Sequence, residues 1–281
     1  MKIIKTIKQV RQIIALQKKQ GKRIGFVPTM GALHEGHLSL IRMAKKHSDF
    51  VVVSIFVNPT QFGPKEDYKK YPRNLKKDAA LCQTAGADLI FSPSPEEIYP
   101  KGFSTYIDVE GLTQGLCGVS RPGHFRGVAT VVAKLFNIVQ PDAAVFGQKD
   151  AQQLAVIRRM VRDLNFPVRV IAGPIVRESD GLAMSSRNAY LTLEERAEAP
   201  TLYRALLKAK ALADSGQRTA GRIKGEIKKI LYRDAPLAEI DYIEIVDNET
   251  LKPVKQIKKN TLIALAVKLP NARLIDNLVI K

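Results

Sequence analysis

The chain has 281 residues, of which 45% are hydrophobic and 26% charged, and these ordinary globular proportions exclude a wholly disordered protein. The length suits two domains better than one small domain. The formal net charge is +18, which would suit an anionic partner, but the basic residues stand singly or in pairs on predicted helical faces and aromatic residues make up only 6%. We therefore interpret most of the charge as solvated surface, and we do not predict a specific nucleic-acid partner.

The cysteines and the apolar runs indicate a cytoplasmic protein. Cys82 and Cys117 lack the dense spacing of a disulfide framework, and no Cys/His cluster has metal-ligand spacing. No apolar run approaches the roughly 20 residues that span a bilayer, and lysines interrupt the apolar runs at the N-terminus. We therefore expect neither a membrane partner nor a signal peptide.

Apolar residues at helical spacing predict an opening amphipathic helix from Ile3 to Leu16, with Gly21 as its stop. A strand over 24–27 closed by Pro28, a helix over 37–47 and a second strand over 50–57 then form a βαβ unit. The alternation continues with a helix over 75–84, a strand over 88–91, a helix over 127–139, a strand over 143–146, a helix over 150–164 and a strand over 168–171. This order predicts an α/β fold, a Rossmann-like doubly wound parallel sheet.

The alternation ends after Arg177. A loop to Leu193 is followed by two helical stretches over about 193–232 and by strands over 240–246, 261–268 and 274–280. Helices followed by strands predict a smaller α+β domain with a mostly antiparallel sheet. We place the domains at residues 1–176 and 177–281.

The turn after the first βαβ strand carries Gly31, His34, Gly36 and His37. In a doubly wound sheet the ligand lies beyond the carboxyl ends of the strands, where helix N-termini attract phosphate, so both imidazoles could contact one polyphosphate. The two histidines could also be coincidental polar residues at a helix start, or part of a zinc site. Zinc would need further ligands, and the other two histidines, His47 and His124, have no spacing that recommends them.

The tetrapeptide His34 to His37 resembles the signature of nucleotidyltransferases and class I aminoacyl-tRNA synthetases, and the whole segment 28–37 resembles the pantothenate synthetase (pantoate–β-alanine ligase) family. The resemblance continues, in the order of the family, through the segments 57–63, 71–73, 121–128, 146–150 and 180–188. Any one of the six segments could mislead, but together they are highly specific. The chain is therefore identified as resembling this family over residues 28–188.

The resemblance implies an enzyme that joins (R)-pantoate to β-alanine with ATP and Mg²⁺, through a bound pantoyl adenylate, releasing pyrophosphate and then AMP. It implies catalytic roles for His34, His37 and Lys149 and a homodimeric assembly. A carboxylate that attacks the α-phosphorus needs no protein nucleophile, so the enzyme must align the reactants and neutralise charge. The implied ATP-binding residues are Met30, Gly31, Ala32, Leu33, His34, Glu35, Gly36, His37, Gly147, Gln148, Lys149, Asp150, Val176, Met184, Ser185, Ser186 and Arg187.

The resemblance also assigns two glutamines to the acid. Gln61 and Gln153 are expected to bind pantoate together with Thr29 and Met30, and Gln61 is expected to bind β-alanine as well. Neutral amides can donate to a carboxylate or hydroxyl without forming an ion pair, which would lower the nucleophilicity of the pantoate carboxylate. Alternatively, each glutamine could be an ordinary surface residue. Met30 and Phe62 could line the gem-dimethyl group of pantoate or belong to the core.

Met184 to Arg187 resembles the mobile phosphate-binding loop of the synthetases, and it lies at the start of the smaller domain, which we expect to act as a lid. Asp150 could hold the ribose hydroxyls or cap a helix. Asp78 is the candidate ligand for Mg²⁺, with an ordinary surface ion pair as the alternative. Arg121 and Arg126 could also face the anionic site, but the sequence does not show which way they point.

Two other functions compete with this one. A nucleotidyltransferase could share the His-x-Gly-His site and act on a phosphorylated acceptor, but a phosphate would favour Arg or Lys where Gln61 and Gln153 stand. A basic RNA-binding module built on a synthetase-like fold is the third possibility, and its binding would have to survive moderate salt.

Overall fold

The computed structural model describes residues 1–64 and 66–281, and its larger sheet is parallel throughout, with six strands. These are β1 (Lys2–Ile4), β2 (Ile24–Thr29), β3 (Phe50–Ile55), β4 (Leu89–Phe91), β5 (Ala143–Gly147) and β6 (Arg169–Gly173), in the order β1-β4-β3-β2-β5-β6. From β2 the chain winds outward through β3 and β4, and from β5 it winds outward the other way to β6. The strand order therefore reverses between β2 and β5, which is where a doubly wound sheet binds its ligand.

Helices cover both faces of this sheet. They are α1 (Ile7–Lys19), α2 (Glu35–His47), α3 (Leu75–Thr84), α4 (Pro95–Ile98), α5 (Cys117–Ser120), α6 (His124–Val139) and α7 (Ala151–Asp163). One apolar core packs α1, α6 and α7 against one face, with Phe26, Phe91 and Met160 at its centre. A second core packs α2 and α3 against the other face around Ile41 and Ile90. The predicted doubly wound sheet is confirmed.

The smaller sheet is antiparallel, as predicted, with the order β7 (Glu239–Asp247), β8 (Thr261–Lys268) and β9 (Arg273–Val279). It packs on α9 (Thr201–Asp214) and α10 (Ala220–Asp234) around a core of its own, and α8 (Leu193–Glu198) precedes these helices in the chain. A small apolar cluster joins this unit to the larger one through Leu116, Ala151 and Leu262. The domain boundary near residue 176 stays a prediction.

Three details of the predicted elements are wrong. The chain opens with strand β1, which pairs with β4 and includes Ile3, because helical spacing alone cannot exclude a short edge strand. Strand β2 continues through Pro28 to Thr29. Proline has no backbone N–H, but this interrupts no hydrogen bond between the strands, because β5 pairs with β2 only at Gly25 and Phe26. The two predicted helical stretches over 193–232 are three helices, with a break at Pro200 and another at Gly216.

No helix in the described part of the chain is long and apolar enough to cross a membrane.

Candidate active site

A cleft opens at the carboxyl ends of β2 and β5, between the sheet and the loop that enters the smaller domain. Most of the residues predicted to bind ATP line it: Met30, His34, Gly36, His37, Gly147, Lys149, Asp150, Val176, Met184, Ser185, Ser186 and Arg187. All four residues predicted to bind pantoate, Thr29, Met30, Gln61 and Gln153, line it as well. The fold thus brings residues from distant parts of the sequence into one cleft.

Five of the residues predicted to bind ATP do not line the cleft. Gly31 and Ala32 form the backbone of the turn beneath it, and the side chain of Leu33 is buried in the core around α2. Glu35 points outward to an exposed ion pair with Arg42. The side chain of Gln148 turns to Asn277 of β9. A contiguous motif on a turn and a helix start necessarily points some of its side chains away from the ligand.

The turn between β2 and α2 depends on a buried carboxylate. Gly31 has a φ of 82° and Ala32 has a φ of 50°, a left-handed conformation that costs energy for a residue with a Cβ. The two oxygens of Asp78 accept hydrogen bonds from the backbone N–H groups of Ala32 and Leu33, at 3.1 and 2.9 Å. Asp78 is only 2% exposed. It lies under the turn, outside the cleft lining, and so positions the histidines.

This differs from both expectations for Asp78. The side chain is buried and does not form a surface ion pair. Both carboxylate oxygens accept from backbone N–H groups outside the cleft lining, whereas a magnesium ligand would face the phosphates. In the described part of the chain, no group of three or more His, Cys, Asp or Glu side chains is arranged to hold a metal ion, so the structure gives the partial zinc site no support.

The imidazoles of His34 and His37 lie against each other with their centroids 4.2 Å apart. His34 is the N-cap of α2 and its Nδ1 accepts from the N–H of Gly36 at 3.1 Å, while Nδ1 of His37 accepts from the N–H of His34 at 3.4 Å. A backbone N–H can only donate, so in neutral rings the proton sits on Nε2 of each histidine. The capping arrangement leaves both Nε2–H groups available to a ligand in the cleft.

Both rings are neutral near pH 7. Burial, reinforced by the Lys149 ammonium, lowers the pKa of His34 to about 4. Burial, reinforced by the neighbouring imidazole of His34, lowers the pKa of His37 to about 3. An anion that replaces water in the cleft would favour the protonated form and raise these values.

Lys149 lies on a 3-10 turn, Gln148–Asp150, between β5 and α7. The side-chain amide of Asn277 donates to the carbonyl oxygens of Gln148 and Lys149, at 3.0 and 2.9 Å. The smaller domain therefore holds the turn that carries Lys149. Asn277 was missed by the sequence interpretation because no local pattern links it to a residue 128 positions away. Asp150 occupies the N-cap position of α7, but its side chain makes no capping hydrogen bond.

The opposite wall of the cleft is mostly neutral. Gln61 is 8% exposed, its Oε1 accepts from Asn58 at 3.2 Å, and its Nε2 lies 2.8 Å from the sulfur of Met30. A thioether is a weak acceptor, so the amide keeps donor capacity for a ligand. Apolar side chains complete this wall: Phe56, Val128, Val131, Val132 and Leu135. Phe62, proposed as a lining residue, lies instead in the adjoining groove, against Tyr68 and Tyr71.

The loop that begins the smaller domain, Met184 to Arg187, closes the third side. The N–H of Met184 donates to the carbonyl of Val176, and the hydroxyl of Ser186 donates to the carbonyl of Ala32 at 3.1 Å. The guanidinium of Arg187 makes two hydrogen bonds to the carboxylate of Asp67, at 3.1 and 3.2 Å. This loop therefore rests on the turn of the histidines while its arginine is paired with a carboxylate of the protein.

Comparison with known proteins gives one consistent family. A family model described as pantoate-beta-alanine ligase matches residues 2–279. Curated relatives named pantothenate synthetase include those of Thermosipho africanus, 58% identical over all of both chains, and Fervidobacterium nodosum, 57% identical over 100% of this chain and 99% of its own.

Solved structures agree with this result. The pantothenate synthetase of Thermus thermophilus superposes with a TM-score of 0.94 and 51% identity, over 99% of each chain. The pantoate-beta-alanine ligase of Francisella tularensis, described as complexed with "Beta-gamma ATP" and β-alanine, superposes with a TM-score of 0.82 and 37% identity, over 99% of this chain and 97% of its own.

We predict that Asp78→Asn lowers the free energy of unfolding by about 1.5–3 kcal/mol, because an amide nitrogen would face one of the two backbone N–H groups. Urea denaturation in the presence of a chelator measures this. Asp163→Asn, at an exposed helix end, is the control and should be nearly neutral. A variant of normal stability that needs more Mg²⁺ for half-maximal activity would show that Asp78 is a metal ligand.

Proposed function

The chain belongs to the pantoate–β-alanine ligase family, and from that premise we propose that it joins (R)-pantoate to β-alanine with ATP, through an enzyme-bound pantoyl adenylate. The observation that carries the proposal is the composition of one cleft. Two imidazoles and Lys149 line its phosphate side, and two neutral glutamines, Gln61 and Gln153, line its acid side. The cleft lies at the reversal of strand order, where this class of sheet binds nucleotides.

The phosphate side suits the triphosphate of ATP. In this proposal the Nε2–H groups of His34 and His37 and the ammonium of Lys149 bind the phosphates, with Ser185 and Ser186 of the smaller domain lining the same cleft. Donors that are already fixed stabilise the charge that develops on the leaving pyrophosphate without reorganising during the reaction. Asp150, exposed at the mouth of the cleft, can bind the ribose hydroxyls.

The acid side suits pantoate. The amides of Gln61 and Gln153 can donate to its carboxylate or hydroxyl groups, and Met30 with the apolar wall can cover its two methyl groups. A carboxylate oxygen then attacks the α-phosphorus, and the bond from that phosphorus to the pyrophosphate breaks. The amine of β-alanine, held beside Gln61, attacks the acyl carbon, forms the amide bond and displaces AMP.

Magnesium, a cytoplasmic location and a homodimer belong to the proposal as well. Asp150 is the one carboxylate among the described cleft-lining residues, so it is the carboxylate that could bind the ion directly. A single carboxylate fits a magnesium ion that keeps phosphate and water ligands, and the ion would neutralise charge on the triphosphate.

The unpaired, buried Cys82 and Cys117 fit a reducing compartment. The homodimer rests on the family resemblance alone.

The neutral acid side argues against transfer to a phosphorylated acceptor. In the described cleft lining the cationic side chains are Lys149 and Arg187, and both belong to the phosphate side. An acceptor phosphate beside Gln61 and Gln153 would have no arginine or lysine of its own.

We predict ATP–pyrophosphate exchange that requires pantoate, with pantothenate and AMP formed once β-alanine is added. Isotope exchange with labelled pyrophosphate measures the first step, and the same reaction with β-alanine measures the second. Exchange that an amino acid or a phosphorylated acceptor drives in place of pantoate would contradict the proposal.

His37→Ala should lower the exchange rate by roughly 10²–10³-fold, because it removes a fixed donor to the transition state. The free energy of unfolding should change by about 1 kcal/mol, since the weak 3.4 Å bond from the N–H of His34 and the contact with the His34 ring are lost. His47→Ala, at the far end of α2, is the control for rate and stability. A comparable loss of rate and stability in His37→Ala would identify a structural histidine.

The pair of Arg187 and Asp67 predicts a variant that binds ATP more tightly. If Arg187 contacts the triphosphate, it must leave Asp67, so Asp67→Asn should lower the Kd for ATP by about two- to five-fold, equivalent to the roughly 0.5–1 kcal/mol of a partly exposed ion pair. Titration calorimetry measures this, with Asp108→Asn, from the exposed pair with Arg126, as control. Weaker binding would show that Asp67 positions Arg187 and does not compete with the nucleotide.

A further inference from the structure

The short 3-10 turn that carries Gln61, Pro59–Gln61, is pressed against the first turn of α6. Gly127 allows this approach, because a Cβ there would overlap the carbonyl of Thr60 and lie 2.7 Å from the backbone nitrogen of Gln61. The amide of Asn58 binds both partners, donating to the carbonyl of Gly127 at 3.1 Å and to Oε1 of Gln61 at 3.2 Å. The position of Gln61 thus depends on α6 as well as on its own strand.

The carbonyl oxygen of Gln61 lies 2.8 Å from Nδ1 of His124, the first residue of α6. Nε2 of the same ring lies 3.0 Å from Nη1 of Arg121. A guanidinium has donors only, so Nε2 of His124 accepts, and Nδ1 of the neutral ring carries the proton that it donates to Gln61. The tautomer of His124 is therefore the opposite of that of His34 and His37.

Glu66 completes this chain of contacts. Its two carboxylate oxygens accept from Nε and Nη2 of Arg121 at 2.6 and 2.7 Å, a two-pronged pair that fixes the plane of the guanidinium. Nη2 also reaches the carbonyl of Gln61 at 3.4 Å. The side chains of Arg121 and Glu66 are 17% and 26% exposed, so water screens the pair only in part. Arg121 is thus committed to protein partners, and Arg126 points outward to Asp108 and Tyr106.

We propose that Glu66, Arg121 and His124 form a positioning chain that fixes the peptide carbonyl of Gln61, and with it the direction of the amide that binds pantoate. This rests on the proposed function in one respect, that Gln61 contacts the acid. A fixed carbonyl fixes the peptide plane and hence the Cα–Cβ bond from which the amide projects. A displacement of about 1 Å at such a contact can cost about 10²-fold in rate, so the chain acts on catalysis without touching a substrate.

The charge state of His124 agrees with this role. Burial, reinforced by the Arg121 guanidinium, lowers the pKa of His124 to about 4, against the opposing effect of its bond to Gln61 and of the carboxylates of Glu66 and Asp150. The ring is neutral near pH 7 and can accept from Arg121 while it donates to Gln61. A protonated ring could not accept that bond.

Two substitutions of His124, each of which reproduces the position of one ring nitrogen, test the two nitrogens separately. In His124→Asn the amide nitrogen can occupy the place of Nδ1 and keep the bond to Gln61, whereas in His124→Gln the amide reaches the place of Nε2 and loses it. His124→Asn loses the acceptor for Arg121 but keeps the bond to Gln61, so we expect it to raise the KM for pantoate by about two- to five-fold. His124→Gln loses the bond to Gln61 itself and should raise the KM for pantoate about ten-fold. The KM for ATP and the melting temperature should change little in either variant.

Equal effects of the two substitutions would overturn the proposal, and so would parallel changes in the KM for ATP, the KM for pantoate and the melting temperature, which indicate a merely structural histidine. Glu66→Gln tests the end of the positioning chain that is farthest from Gln61. It should raise the KM for pantoate by about two- to five-fold, since it weakens the ion pair that holds Arg121. An unchanged KM would remove Glu66 from the chain.

The tautomer can be measured without the reaction. The ¹⁵N chemical shifts of the imidazole in the labelled full chain show which nitrogen carries the proton, and we expect Nδ1–H for His124. Protonation at Nε2 would overturn the positioning chain, whatever the enzyme's substrate. Wild-type protein that shows Nδ1–H but no pantoate-dependent exchange would instead contradict the proposed function.

Discussion

The hydrogen bonds from the turn after β2 to Asp78 are the interaction on which the site depends. A buried carboxylate is tolerated only when its oxygens are satisfied, and here the donors are the backbone N–H groups of Ala32 and Leu33. They hold Ala32 in a left-handed conformation that turns the chain sharply from the strand into α2. Because His34 is the cap of that helix and His37 lies in its first turn, the same carboxylate sets the positions of both imidazoles.

The smaller domain contacts this turn and the turn of Lys149. Ser186 donates to the carbonyl of Ala32, whose N–H is already held by Asp78, so both backbone groups of one strained residue are fixed by distant side chains. Asn277 holds the carbonyls of the adjacent residues Gln148 and Lys149. A movement of the smaller domain would therefore act on the turn of the histidines and on the turn of Lys149 together.

The sequence predicted the parts of the site that are local. Strand and helix periodicity predicted the doubly wound sheet, and the segment 28–37 predicted where the cleft lies, because glycines and histidines after a buried strand indicate a phosphate-binding turn without any distant contact. Asp78, Asn277 and His124 could not be assigned in this way. Their side chains bind backbone groups that lie 45, 128 and 63 residues away, respectively, and the residues next to them in the sequence do not indicate these contacts. The segment 121–128 was recognised by resemblance, but its proposed positioning role depends on the contact between Gly127 and the turn that carries Gln61, which only the structure shows.

Neutral side chains predominate among the polar residues of the described cleft, so the chain's net charge of +18 says little about the site. Burial keeps His34, His37 and His124 uncharged near neutral pH, and each has one nitrogen committed as acceptor by an N–H or guanidinium neighbour. The remaining nitrogen must then donate, in a direction that the backbone determines. Arg121 and Arg187 are meanwhile paired with the adjacent acids Glu66 and Asp67. Under the proposed function a triphosphate would gain Arg187 only by displacing the carboxylate of Asp67, and the affinity for phosphate would then be adjustable without altering the neutral contacts to the acid.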